Sequence, residues 1–199
     1  IRPRDWSSDV CSSDLLTALW LPIVLSTVLA FLASSVIHMV LGYHSTDWKR
    51  FPNEEGVLEA LRSFNLPPGD YAGPMPGRMQ ERGSPEFKEK VAKYPRVGMT
   101  IQRANATMGR SLALWAVYLL VVSVLTAYVA GLALPAGTPY MQVFRITSAV
   151  AFAGYALAVW HDWIWYSRGT SYTVKTTVDG LVYALLTGGV FGWLWPHVA

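Results

Sequence analysis

"SLALWAVYLLVVSVLTAYVAGLAL", Ser111 to Leu134, holds no charged side chain and no proline. A helix rises 1.5 Å per residue, so about 20 apolar residues cross the ~30 Å hydrocarbon core of a bilayer. A helix lying on a soluble core would keep a polar face, and this stretch has none. It predicts a membrane span over residues 107–134. Three further runs meet the same test: 16–43; 140–166, interrupted by Arg145 and then by His161 and Asp162; and 172–195, with Lys175 and Asp179 near its start. The expected fold is an all-α membrane protein, a four-transmembrane-helix bundle with a cytoplasmic loop region of short amphipathic helices over 44–106. Hydrophobic residues at 52%, nine Trp and a positive mean hydropathy point the same way. The first run is longer than the apolar core of a secretory signal, about 7–15 residues, and no A-x-A cleavage pattern follows it, so it is read as a span.

Residues 1–15 do not fit this pattern. "WSSDVCSSDL", Trp6 to Leu15, has no hydrophobic period and resembles the forward translation of a short-read sequencing adaptor. It is set aside as non-native, with the true start expected to be missing. It carries the only cysteine, Cys11, so the native part has none. Disulfides, thiolate nucleophiles, iron–sulfur clusters and cysteine zinc sites are excluded there.

Orientation follows from the basic residues. The connection 44–106 carries Lys49, Arg50, Arg62, Arg78, Arg82, Lys88, Lys90, Lys93, Arg96 and Arg103, whereas "LALPAGTP" between the second and third spans carries none. Arg168 and Lys175 lie at the third connection. The positive-inside rule places 44–106 and the third connection in the cytoplasm and both termini in the periplasm, across a bacterial inner membrane. Trp20, Tyr128, Tyr140, Trp193 and Trp195 would mark the outer interface; Tyr43, Trp160, Trp163, Trp165 and Tyr166 the inner one. Within 44–106, Asn53 precedes Glu54 and Glu55 and a periodic run with Val57, Leu58, Leu61 and Phe64, which predicts a capped helix. Ser84 with Pro85 starts a second one, and "RVGMTIQR" alternates as a short strand would.

Small residues recur every four positions as Ser26, Ala30 and Ser34 in the first span and as Gly180, Ala184, Gly188 and Gly192 in the fourth. Such ridges let membrane helices approach closely, within one bundle or in a homodimer. Ionisable groups in spans are the default place to look for function. His38, His44, Asp47, His161, Asp162 and Asp179 all fall near the cytoplasmic ends, and His38, His161 and Asp179 are expected to converge with His161 facing inward. Such a cluster could ligate a metal or relay protons; it could equally be interfacial groups bonded to one another. His38 and His44, six apart, do not share a helical face. Lys175 and Asp179 are spaced to pair. No H-x-x-H spacing, phosphate loop or nucleophile motif is present, and Arg145 is read as snorkelling outward.

"LWLPIVLS", "ASSVIHMVLGYH", "FPNEE", "GTPYMQVFR" and "DGLVYALLTGGVFGWLWP" together resemble an uncharacterised family of small bacterial four-span inner-membrane proteins. The resemblance implies the four-span layout and no activity. The spans, polar-poor and rich in small and aromatic residues, favour a non-enzymatic accessory or structural membrane subunit. The alternative is a small proton or divalent-metal transporter or channel using the His/Asp cluster. No cofactor is expected, and the metal is left open. The expected partners are the lipid bilayer and a homo-oligomer or larger membrane complex, without nucleic acid.

Deleting residues 1–15 is expected to leave membrane insertion and the thermal midpoint unchanged. A clear loss of folded protein from the trimmed chain would show that the segment belongs to the fold.

Overall fold

The structure, a computed structural model, describes residues 18–103 and 107–197, so the segment read as adaptor-derived lies outside it. Helix α1, Trp20–Ser35, runs on into a π-helical turn, Val36–Val40, and then a 3-10 turn, Tyr43–Thr46. Next come α2 (Glu54–Ser63), β1 (Gly69–Gly73), a 3-10 turn (Met79–Gly83), α3 (Pro85–Lys93) and β2 (Val97–Ile101). Four helices close the chain: α4 (Met108–Ala133), α5 (Tyr140–Ala156), α6 (Ala158–Tyr166) and α7 (Thr170–Trp193). There are two compact units, one built from α1 and α4–α7, the other from residues 49–108.

Three helical stretches are long and apolar enough to cross a membrane: Trp20–Val40, Met108–Ala133 and Tyr140–Tyr166. The last comprises α5 and α6, which are separated at Leu157, where the Trp160 amide reaches back only three residues to the Leu157 carbonyl, at 3.3 Å. Four spans were expected, and α7 is the one that does not qualify. It has the length, but Lys175, Asp179 and the threonines at 170, 173, 176 and 177 dilute its first half.

In the 49–108 unit, Asn53 caps α2 by accepting from the Gly56 amide at 3.2 Å, and Ser84 caps α3 by accepting from the Phe87 amide at 3.1 Å. The all-α expectation needs a correction here. β1 and β2 pair antiparallel, with Gly69 opposite Ile101 and Gly73 opposite Val97. The Thr100 hydroxyl adds a cross-strand hydrogen bond to Asp70 at 2.7 Å. β1 escapes a pattern search because "GDYAG" has little strand propensity; its partner, distant in the chain, holds it extended.

The helical unit is held by close backbone approach. A Cβ placed on Gly180 would lie 2.8 Å from the Ala156 Cβ, and one on Gly188 would lie 1.9 Å from Ser148 Oγ and 3.0 Å from the Phe144 carbonyl oxygen. On Gly192 it would meet the Tyr140 ring at 2.8 Å. Only hydrogen fits, so the glycine ridge of α7 lies directly on α5. Ser26, Ala30 and Ser34 make the buried stripe of α1. Ser26 and Thr27 each donate to Ser123 Oγ of α4, at 3.1 and 3.2 Å. Two apolar clusters fill the interior: one contains Ile37, Leu119, Val122, Tyr155 and Tyr183, the other Leu19, Ile23, Val143, Phe191 and Trp195. Trp195 is buried, and its indole N–H donates to the Pro135 carbonyl at 3.0 Å. Arg145 lies on an exposed flank of α5.

Gly188→Val is expected to lower stability in detergent micelles by about 1–3 kcal/mol, since Phe144 backbone cannot yield as a side chain can. Gly109→Ala, where a Cβ meets nothing within 4 Å, serves as the neutral control. Equal melting of the two variants would contradict the packing described.

Candidate functional site

The site is built by a chain reversal at the end of α1. The Leu41 amide donates to the Val36 carbonyl at 3.0 Å, closing the π-helical turn. Gly42 follows at φ +62°, a left-handed conformation that glycine adopts without penalty. The Ser45 amide then returns to the Gly42 carbonyl at 3.0 Å, and the 3-10 turn carries His44 back over the helix end. Its ring stacks on that of His38, with centroids 4.5 Å apart and planes within 6°. On an uninterrupted helix, residues six apart point to different sides. The expectation that these two histidines stay apart is therefore corrected by the turn.

Around this stack the polar groups close on one another. His44 Nδ1 lies 2.5 Å from Asp47 Oδ2, and His44 Nε2 lies 2.7 Å from Asp179 Oδ2. The Tyr43 hydroxyl donates to the other Asp179 oxygen. Lys175 Nζ donates to Asp47 Oδ1 at 2.8 Å, to Thr46 Oγ1 at 2.8 Å and to the Tyr43 carbonyl at 2.7 Å. Each ring nitrogen of His44 thus meets one carboxylate, and Lys175 meets the second oxygen of Asp47. The Asp47 side chain is only 3% exposed. Burial by itself would raise its carboxyl, but the hydrogen bonds and charges of Lys175 and His44 outweigh that and hold it below the ordinary carboxylate range.

His38 is oriented separately. Its Nδ1 is 3.0 Å from the Ser34 carbonyl, which can only accept, so Nδ1 carries the hydrogen and Nε2 keeps its lone pair. Ser34 Oγ in turn accepts from the Trp115 indole at 3.0 Å, joining the site to α4. One donor atom from each of His38, His44 and Asp179 lies within 4.8 Å of the others.

Of the residues singled out in the sequence, the structure gathers His38, His44, Asp47 and Asp179. It does not bring in His161 and Asp162. Their side chains are 62% and 52% exposed and face each other at 3.6 Å, and the His161 ring leans on Tyr166. α6 has no fully buried residue, its half-buried side chains are Val159 and Trp160, and exposed His161 is not turned inward. Lys175 and Asp179 do not pair with each other either, because the 43–47 turn offers each a closer partner. Tyr43 and Lys175 were missed as members of the site. The signal for Tyr43 was its place directly after Gly42, where the chain has to reverse.

No protein-family model, curated protein or solved structure matches the chain, so the reading of the site rests on its geometry.

Lys175→Met removes the partner of a buried carboxylate and is expected to cost about 3 kcal/mol, against about 0–1 kcal/mol for Arg62→Ala in an exposed pair. Because the Asp47 carboxyl is depressed in the folded state, its stabilising contribution is complete above about pH 4. That contribution fades as pH falls through the lower folded value. Thermal melts from pH 7 down to 3 check this: in wild type the loss begins only below about pH 4, and in Asp47→Asn that acid component is absent.

Proposed function

We propose that the chain is an integral inner-membrane protein with four spans, acting as a non-enzymatic accessory or structural subunit within a homo-oligomer or a larger membrane complex. One observation carries this reading. The charged groups that the bundle holds at the end of α1 and the start of α7 are engaged by the chain's own side chains. That is the arrangement of a clasp that fixes a connection to a helix. Exposed Val117, Val121 and Leu125 on α4 and Val178 and Leu185 on α7 give the bundle an apolar outer surface suited to lipid.

α7 is the fourth span in this reading. At 1.5 Å per residue its length is about 36 Å, enough for a hydrocarbon core of ~30 Å. Its charged residues sit in its first half, where Lys175 and Asp179 are neutralised by the clasp. The ten basic residues of 44–106 then favour a cytoplasmic connection, with both termini periplasmic. Exposed Trp163, Trp165 and Tyr166 suit the inner interface, and Trp20 and Trp193 the outer one.

A second reading, a transporter or channel for protons or a divalent metal, has its own support. Tyr183 lies one helical turn beyond Asp179, and its ring meets that of Tyr155 edge-on. The hydroxyls of both are buried without a hydrogen-bond partner. Purified protein in liposomes distinguishes the two. A proton or Zn²⁺ flux abolished by His38→Ala would favour transport, and the absence of flux together with a reproducible co-purifying partner set would favour the accessory subunit.

The topology is tested on the chain without residues 1–15, which has no cysteine. A membrane-impermeant thiol reagent applied to intact cells is expected to label Ala199→Cys and to spare Ser84→Cys. The opposite labelling would invert the protein in the membrane.

A further inference from the structure

We propose that His38 Nε2, His44 Nε2 and the Asp179 carboxylate form a binding site for one first-row divalent cation of the zinc class. The inference is independent of whether any ion crosses the membrane. Three features carry it, beginning with the donor set. Two imidazoles and one carboxylate are what zinc takes in open sites, at about 2.0–2.2 Å each, with a fourth position left for water.

The second feature is the orientation of the rings. A metal-bound histidine characteristically donates its other ring N–H to a carbonyl or carboxylate, which fixes the tautomer and raises the basicity of the ligating nitrogen. Both histidines here have such a partner. His38 Nδ1 is held by the Ser34 carbonyl at 3.0 Å and His44 Nδ1 by Asp47 at 2.5 Å. The supporting shell is itself supported, since Lys175 holds the second oxygen of Asp47 at 2.8 Å. A purely interfacial cluster has no need of this double orientation.

The third feature is distance. The three donor atoms lie within 4.8 Å of one another, and ligands sharing a tetrahedral ion at about 2.1 Å sit about 3.4 Å apart. Binding requires the parallel His38–His44 stack to open, so that both ring planes contain the ion, and the 2.7 Å gap between His44 Nε2 and Asp179 to widen; the His38 ring is exposed and free to turn, whereas Asp179 is buried. On binding, the ion takes the place of the hydrogen bond between His44 Nε2 and Asp179. Tyr43 and Asp47 from its own turn, His38 from the π-helical turn and Asp179 from α7 face His44.

The test is isothermal titration of ZnCl₂ into the full chain in detergent, purified on an affinity tag that contains no histidine. One Zn²⁺ per chain is expected. His38→Ala is the cleanest variant because that ring makes no hydrogen bond or ion pair to Asp47, Asp179 or Lys175 and meets the clasp only through its stack on His44; it should bind about 100-fold more weakly or worse while still melting cooperatively without metal. Asp47→Asn should weaken binding by about 10–100-fold, and His161→Ala should leave it unchanged. Co²⁺ gives a second readout through visible absorption bands that His38→Ala abolishes. Undiminished Zn²⁺ binding by His38→Ala would overturn the site, as would a cooperatively melting wild type that binds no Zn²⁺.

Discussion

A carboxylate enclosed between packed helices has to find partners before it can be buried. At Asp179 that requirement organises the surrounding structure. The cost of leaving an ionised group unpaired in a low-dielectric surrounding is several kcal/mol. His44 and Tyr43 remove it by hydrogen-bonding both oxygens. To do so, the segment after α1 has to turn back sharply, and Gly42 in its left-handed conformation allows that. The same reversal carries Asp47 against Lys175, so a second charge is neutralised by the chain movement that neutralised the first.

The clasp works because the helices beneath it are already close. Gly180 follows Asp179 directly, and its lack of a side chain lets α7 lie against Ala156 and Tyr155 of α5. Asp179 is thereby placed at the buried face of α7, one residue from the ridge. Lys175, one turn earlier, is less enclosed and reaches the turn from the rim. Backbone approach and charge placement are thus two aspects of one packing solution. A larger residue in the ridge would disturb both.

Within the cluster the histidines differ in kind. His44 is held at both nitrogens and acts as part of the clasp. His38 is held at one, by the Ser34 main-chain carbonyl in the last turn of α1, and has a ligand atom within 4.8 Å of those of His44 and Asp179. π-helical turns inside helices recur at functional positions because they re-aim a side chain without ending the helix. Here the turn lies at a helix end and leaves the His38 ring exposed, stacked on His44 of the closing turn.

The sequence by itself determined the elements whose cause is local. The apolar runs are long enough to cross a bilayer wherever they sit, small residues at four-residue spacing make one flat face on any helix, and Asn53 and Ser84 cap the helices that follow them. It also marked His38, His44, Asp47 and Asp179, since ionisable groups at span ends are few. Only the tertiary structure decided which of them meet. Helical spacing offered Asp179 to Lys175 and kept His44 away from His38, but the turn at Gly42 supplied nearer partners from another segment, and charge pairs form where the geometry is best. It decided likewise that His161 stays out, because the helix is interrupted at Leu157 and α6 has no fully buried residue. β1 was hidden for the same reason. A strand of weak propensity is extended only because β2, remote in the chain, supplies its hydrogen bonds.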